Sequence, residues 1–123
     1  MELTFYDKEG RAVAYTEDRL HIYLFDGRPV AYIKDNSIYA YSGKHLGWLE
    51  DGWVIEHSGK CVFFTEISSA YGPIKPVKQI KPIKNIKQIN PIKSIKEIQP
   101  FKPVRQLLWS DFSGEEFFYQ LYI

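Results

Sequence analysis

Between residues 74 and 106 the chain carries eight lysines and one arginine against a single acid, Glu97. Lys75, Lys78, Lys81, Lys84 and Lys87 recur every third residue, and Lys93, Lys96, Lys102 and Arg105 keep the same phase. Cations at a fixed interval can neutralise the phosphates of an anionic polymer. Lys75, Lys78, Lys81, Lys84, Lys87, Lys93 and Lys96 therefore form a candidate polyanion row. Stacking on nucleic-acid bases would need interleaved aromatic side chains, and Phe101 is the one aromatic in the segment. A solvated face is the plainer reading of such a charge run.

The other reactive residue types do not assemble by sequence. His21, His45 and His57 lack the spacing and acidic company of a metal site. Cys61, the single cysteine, has no partner for an internal disulfide and lies in a strand-like run, where a buried structural thiol is expected. Glu17-Asp18 and Glu50-Asp51 fall at matching turns of a repeat, not in a dyad. No catalytic residue, metal or cofactor is implied, and an enzyme is not expected.

The lysines are positioned by a triplet repeated eleven times, whose first residue is always apolar: Ile74, Val77, Ile80, Ile83, Ile86, Ile89, Ile92, Ile95, Ile98, Phe101 and Val104. A strand would throw alternate members of this stripe to opposite sides. An α-helix would let it drift by about 60° per triplet, and Pro76, Pro82, Pro91, Pro100 and Pro103 would break that helix. A 3₁₀-helix has the period but rarely exceeds a few residues. Polyproline II, with three residues per turn, is the expected conformation. At about 3.1 Å per residue it makes a rod of roughly 100 Å, longer than a ~30 Å domain. The tract is therefore expected to double back or to be shared between copies. The stripe is a candidate self-assembly surface, expected to hide against β structure or a sister rod. The PxxP spacings Pro73/Pro76 and Pro100/Pro103 suit an aromatic-lined groove, and Tyr6, Phe25 and Tyr41 form a candidate groove for the chain's own rod.

Residues 4 to 69 hold four copies of one unit, with glycines at Gly10, Gly27, Gly43 and Gly59, spaced 17, 16 and 16 apart. After each glycine comes a base, then an aliphatic and an aromatic two apart: Val13 and Tyr15, Val30 and Tyr32, Leu46 and Trp48, Val62 and Phe64. Spacing by two places each pair on one strand face. Asp26-Gly27, Ser42-Gly43 and Ser58-Gly59 predict two-residue hairpin turns. The first copy aligns with a longer turn, which puts Tyr6 in the row of Phe25, Tyr41 and His57. Asp35-Asn36 and Asp51-Gly52 predict the turns between units. About eight short antiparallel strands follow, and units this small must close on one another to form a core. Pro29 belongs at an edge, a strand start or a bulge.

The fold class expected is all-β, with four hairpins in a flower- or barrel-like ring. Residues 1–73 form the repeat domain, 74–106 the extended tract and 107–123 a hydrophobic tail. In the tail, Ser113 and Glu116 have capping-box spacing ahead of Phe117, Phe118 and Leu121. A short helix or strand that plugs the assembly is expected, with Trp109 and Phe112 as core anchors. The net charge of +1 conceals +8 in residues 74–106 and −7 elsewhere, which favours self-association within the chain or between copies. No run approaches the roughly 18 apolar residues of a membrane helix, and the charged, strand-like segment after Met1 is not expected to act as a signal peptide. A cytoplasmic location, no membrane partner and a homo-oligomer are expected, with a protein partner as a further possibility.

Four YDxxG- or FDG-like units, a triplet tract of Ile, Lys and Pro, and a WS…SGEEFF tail together resemble the four-fold beta flower family of bacterial proteins. The resemblance spans nearly the whole chain and implies a four-petalled β arrangement. It implies no activity, so no functional residue is carried over. The function expected is that of a structural or protein-interaction module that self-assembles. The alternative is binding of an anionic polymer through the lysine row. The units alone also look like the YD repeats of large secreted shells, against which the copy number of four argues.

Overall fold

A computed structural model describes residues 2–112 and 114–120 of the 123-residue chain. Alternating inward and outward residues make eight strands: β1 (Leu3–Tyr6), β2 (Ala12–Thr16), β3 (His21–Leu24), β4 (Pro29–Lys34), β5 (Ser37–Tyr39), β6 (His45–Glu50), β7 (Trp53–Ile55) and β8 (Cys61–Phe64). They pair antiparallel in sequence order and close through β1 and β8 into a barrel. Closure removes the edges that a meander would expose. Leu3, Phe5, Ile22, Leu24, Ile38, Leu46, Val54 and Phe63 point inward and are fully buried.

The turns between units follow their sequences. Asp35 and Asn36 have φ of 51° and 65°, and Asp51 and Gly52 have φ of 50° and 81°, the double positive φ of a type I′ turn. The glycine turns differ from expectation. In each, the residue three before the glycine bonds the residue one after it, as Leu24 N–H does to Arg28 C=O at 2.9 Å, and the glycine N–H closes an inner turn. Three residues are looped out, the glycine is left-handed, and all four hairpins shift register in the next pair. That is a type I turn with a glycine bulge, so the expected two-residue turns are corrected.

The same bonds correct the alignment of the first unit. Asp7 N–H bonds Arg11 C=O and Gly10 N–H bonds Asp7 C=O, as in the other three. Its glycine turn is not longer; the extra residue lies in the Asp18–Leu20 connection. Tyr6 therefore matches Tyr23, Tyr39 and Ile55, whereas Phe25, Tyr41 and His57 match Lys8. Pairing confirms the register, because Tyr15↔Tyr23, Tyr32↔Tyr39, Trp48↔Ile55 and Tyr6↔Phe64 are the four junction pairs. Pro29 opens β4 beside a register shift, where no ladder donor is needed.

A 3₁₀-helix, Gly114–Tyr119, follows the tract. Its Phe117 and Phe118 are buried and pack against Phe63 at ring-centroid distances of 5.7 and 5.6 Å, filling the barrel. Trp109 and Phe112 are half-buried against the core clusters. The expected capping partner Ser113 and the apolar Leu121 lie outside the described residues. No helix among the described residues is long and apolar enough to cross a membrane.

The tract has no helix and no strand, and it neither doubles back nor leaves the barrel. Gln79, Gln88, Glu97 and Gln106 donate their backbone N–H to the carbonyls of Gly10, Gly27, Gly43 and Gly59 at 2.8–2.9 Å. Asn85 and Ser94 donate likewise to Phe25 and Tyr41, at 2.9 Å each. Nine residues of tract thus cross one hairpin, and the tract circles all four. The ends meet: Trp109 Nε1 donates to the Ile74 carbonyl at 3.3 Å and Arg105 Nε to the Tyr71 carbonyl at 2.8 Å. All five prolines fall at third positions that donate no N–H to the barrel, so their missing donor costs nothing there.

The glycines are required by this approach as well as by the turn. A Cβ on Gly43, where φ is +95°, would lie 2.0 Å from the Ile95 carbonyl oxygen, and one on Gly27 2.1 Å from that of Ile86. Gly43→Ala is expected to lose about 1–3 kcal/mol from backbone strain and to lift the tract locally. Urea denaturation checks the first effect. Faster tryptic cleavage at Lys93 or Lys96 checks the second, and unchanged cleavage would show that the seat is not needed.

Candidate functional site

The belt has three faces, set by the triplet. The six third residues that are not proline bond the hairpin turns through their backbone N–H, and Gln79 and Gln106 add side-chain bonds to the Glu9 and Ser58 carbonyls at 3.0 and 2.7 Å. The second residue lies along the barrel wall. The first points away from the protein.

Below the second residues lie the aromatic junctions between units. Tyr15 stacks on Tyr23 at 6.0 Å, Tyr32 on Tyr39 at 5.7 Å, and Tyr6 on Phe64 at 5.3 Å. The ammonium groups of Lys84 and Lys93, nine residues apart, sit 4.4 Å from the ring centroids of Tyr15 and Tyr32, which are also repeat-equivalent. Lys78, Lys87 and Lys75 cover Tyr6, Tyr23 and Trp53 at 5.3–5.5 Å. These are cation–π distances, and the lysine stems cover ring surface that water would otherwise wet.

The barrel's acids meet the same cations. Lys84 bridges Glu2 and Glu17 at 2.9 Å each, Lys87 also pairs with Glu17, and Lys81 reaches Glu66 at 3.5 Å. Lys102 and the buried Arg105 both pair with Glu50. Hydrogen bonds from Lys87 and Lys84 hold the Glu17 carboxyl below its ordinary value. Of the candidate polyanion row, Lys75, Lys78, Lys81, Lys84, Lys87 and Lys93 thus engage carboxylates, rings or carbonyls of their own barrel, while Lys96 has no partner among the described residues.

The candidate groove residues lie under the belt, but not in one row. Tyr6 belongs to a junction pair, whereas Phe25 and Tyr41 are turn residues that present carbonyls to Asn85 and Ser94. The stripe does not pack against them. Ile74, Val77, Ile80, Ile83, Ile86, Ile89, Ile92, Ile95, Ile98, Phe101 and Val104 are each between 83% and 102% exposed. The expectation that the apolar edge hides against β surface is reversed within the chain, because the backbone donors and lysine stems take that surface instead.

One junction differs from the others. Where two of its counterparts carry Phe25 and Tyr41, it carries His57, and His45 stands where they carry Ala12 and Pro29. His45 Nδ1 lies 2.9 Å from His57 Nε2, and His45 Nε2 lies 3.1 Å from Ser37 Oγ. His45 N–H donates to Glu97 Oε1 of the belt at 2.8 Å, and Lys44 lies 3.9 Å from the same carboxylate. Lys44, His45, His57, Glu97, Ile98 and Pro100 line a shallow cavity of about 330 Å³. The two histidines are 12 residues apart in the chain, without the spacing of a metal site; the sequence signal for their meeting is their repeat positions, one on each side of a junction. Among the described residues no group of three or more His, Cys, Asp or Glu could hold a metal ion. Cys61 is fully buried, and burial pushes its thiol up to about 11, which makes it a poor nucleophile.

Burial, reinforced by the neighbouring His57, pushes His45 down from 6.5 to about 4, and burial also lowers His57. The neutral imidazoles are favoured in the folded chain, so the unfolded chain binds more protons between these values. Stability from this junction is therefore full above pH 6.5 and falls as the pH drops toward about 4. The double variant His45→Ala, His57→Phe, which copies the junction of Ala12 and Phe25, is expected to flatten the denaturation midpoint across that window. An equally steep profile in the variant would place the titration elsewhere.

The family model described as 4-fold beta flower protein matches residues 3–118. No curated protein and no solved structure matches the chain. The family's description names a shape, and the shape is the one built above: four hairpins closed about an axis, with the match running on through the belt and into the plug. The chain belongs to the 4-fold beta flower protein family.

Proposed function

We propose that the chain is a structural or protein-interaction module that self-assembles through its belt. The observation that carries this reading is the outward stripe, in which all eleven apolar side chains are at least 83% exposed. At 1.5–3 kcal/mol and 25 cal/mol/Å² each side chain offers about 60–120 Å² of apolar surface, and eleven offer roughly 700–1,300 Å². The largest apolar patch of an ordinary monomer is about 300–600 Å². A surface above that range is an interaction site or an aggregation liability, and here it is held in place by a built backbone register.

The belt's period of three, in exposure as in sequence, supports a polyproline II conformation. Such a rod is stiff before it binds and loses little chain entropy on association. The reading assigns a homo-oligomer of cytoplasmic location and no catalytic step. Binding of an anionic polymer is the weaker alternative, since every cation of the row but Lys96 already engages a carboxylate, ring or carbonyl of the barrel. A polyanion would have to compete with Glu17, Glu50 and Glu66.

Light scattering across a concentration series tests the reading. The molar mass is expected to rise above 14.4 kDa with concentration in the wild type and to stay at that value when Val77, Ile86, Ile95 and Val104 are replaced by Ser. A wild type that stays monomeric at every concentration would sink self-assembly. Salt-sensitive retention on immobilised DNA would favour the alternative.

A further inference from the structure

The belt is convex everywhere, and its four crossings are alike. Each glycine seat fixes one stripe residue above it: Val77 over Gly10, Ile86 over Gly27, Ile95 over Gly43 and Val104 over Gly59. The stripe thereby divides into four arcs, Ile74–Ile80, Ile83–Ile89, Ile92–Ile98 and Phe101–Val104. We propose that the belt is a four-valent surface for other copies of this chain, each neighbour seated on one arc, so that copies form an extended open array and not a closed dimer. The proposal rests on the self-assembly reading above and adds its valence.

Area decides the valence. A convex belt meets another convex belt along one arc, about three side chains, or roughly 180–360 Å² per partner. A stable pairwise interface buries about 800 Å² per partner. One contact is too small to hold a dimer, whereas four sum to roughly 700–1,300 Å² and reinforce one another as a multivalent array does. A second copy also matches the stripe in period: identical rods with an apolar residue every ~9 Å interdigitate when shifted by half a repeat.

Two observations turn the choice toward protein and away from lipid. None of the eleven stripe residues donates its N–H to a backbone carbonyl among the described residues, and non-helical backbone with free polar groups is not tolerated in a hydrocarbon core. Lys102, Lys84 and Lys87 are committed to Glu50 and Glu17, which leaves the row poorly placed to hold anionic headgroups.

Sedimentation velocity and negative-stain microscopy of the purified chain test the valence. Ser substitutions at Ile83, Ile86 and Ile89 remove one arc, and adding Phe101→Ser and Val104→Ser removes the opposite one. These positions are exposed, so the near-ultraviolet spectrum is expected to be unchanged. The wild type is expected to form large open arrays above a threshold concentration. One missing arc is expected to raise that threshold about tenfold, two opposite missing arcs to leave linear strings, and loss of all four to leave monomers. A wild type that stops at twice the monomer mass would overturn the valence while sparing self-assembly. A wild type that is monomeric in buffer would overturn both, and its flotation with phosphatidylcholine–phosphatidylserine vesicles would assign the belt to lipid.

Discussion

Six backbone hydrogen bonds from the tract to the hairpin turns hold the architecture in place. Each hairpin presents a left-handed glycine whose missing Cβ leaves room for a tract carbonyl and whose own carbonyl accepts a tract N–H two residues further on. The seats recur every 16 or 17 residues along the barrel and every nine along the tract. A hairpin pair occupies a quarter of the barrel's circumference, and three turns of an extended three-fold helix, about 28 Å, cover a quarter of the wider circle outside it. The two periods are commensurate in space although they differ in sequence.

That match dictates which face of the tract goes inward. Once the third residue of each triplet is seated on a turn, the second is laid along the barrel wall and the first is directed outward. Hydrophobicity alone would give the reverse. The inversion is tolerated because the wall is aromatic and acidic: tyrosine faces attract ammonium groups, Glu2, Glu17, Glu50 and Glu66 meet them at the rim, and the lysine methylenes bury as apolar surface. The opposed charges of tract and barrel are largely used up inside one molecule. What remains unsatisfied is the apolar stripe, and it is continuous because the ends of the tract meet at Trp109 and Arg105.

Departures from fourfold symmetry are local and have identifiable causes. The plug breaks it on the axis, where Phe117 and Phe118 occupy one interior that four equivalent copies could not fill equally. His45 and His57 break it at one junction, and Glu97 stands in the belt above them where Gln79, Gln88 and Gln106 stand elsewhere. Cys61 breaks it without reactive consequence, because burial keeps its thiol protonated. Arg105 ends the row with a guanidinium that ties Glu50, Asp51 and Tyr71 together at the point where the belt closes.

The sequence by itself determined the hairpins and their number, because aligned glycines, period-two apolar pairs and Asp-Asn or Asp-Gly turns are local signals with local causes. It also determined that the tract could be neither α-helix nor strand, since a period of three with prolines excludes both. The sequence also holds a nine-residue period, in Gln79, Gln88, Glu97 and Gln106 with Pro82, Pro91 and Pro100 between them, which counts four crossings. The tertiary structure alone decided the rest. The true register of Tyr6 depends on hydrogen bonds across Asp7 and Arg11, the meeting of His45 with His57 depends on closure of the barrel, and the outward turn of the isoleucines depends on backbone seats. A stripe on an extended rod is the same whichever way the rod faces. Only contact with the glycine turns, whose carbonyls outcompete an apolar face for the barrel wall, fixes its direction.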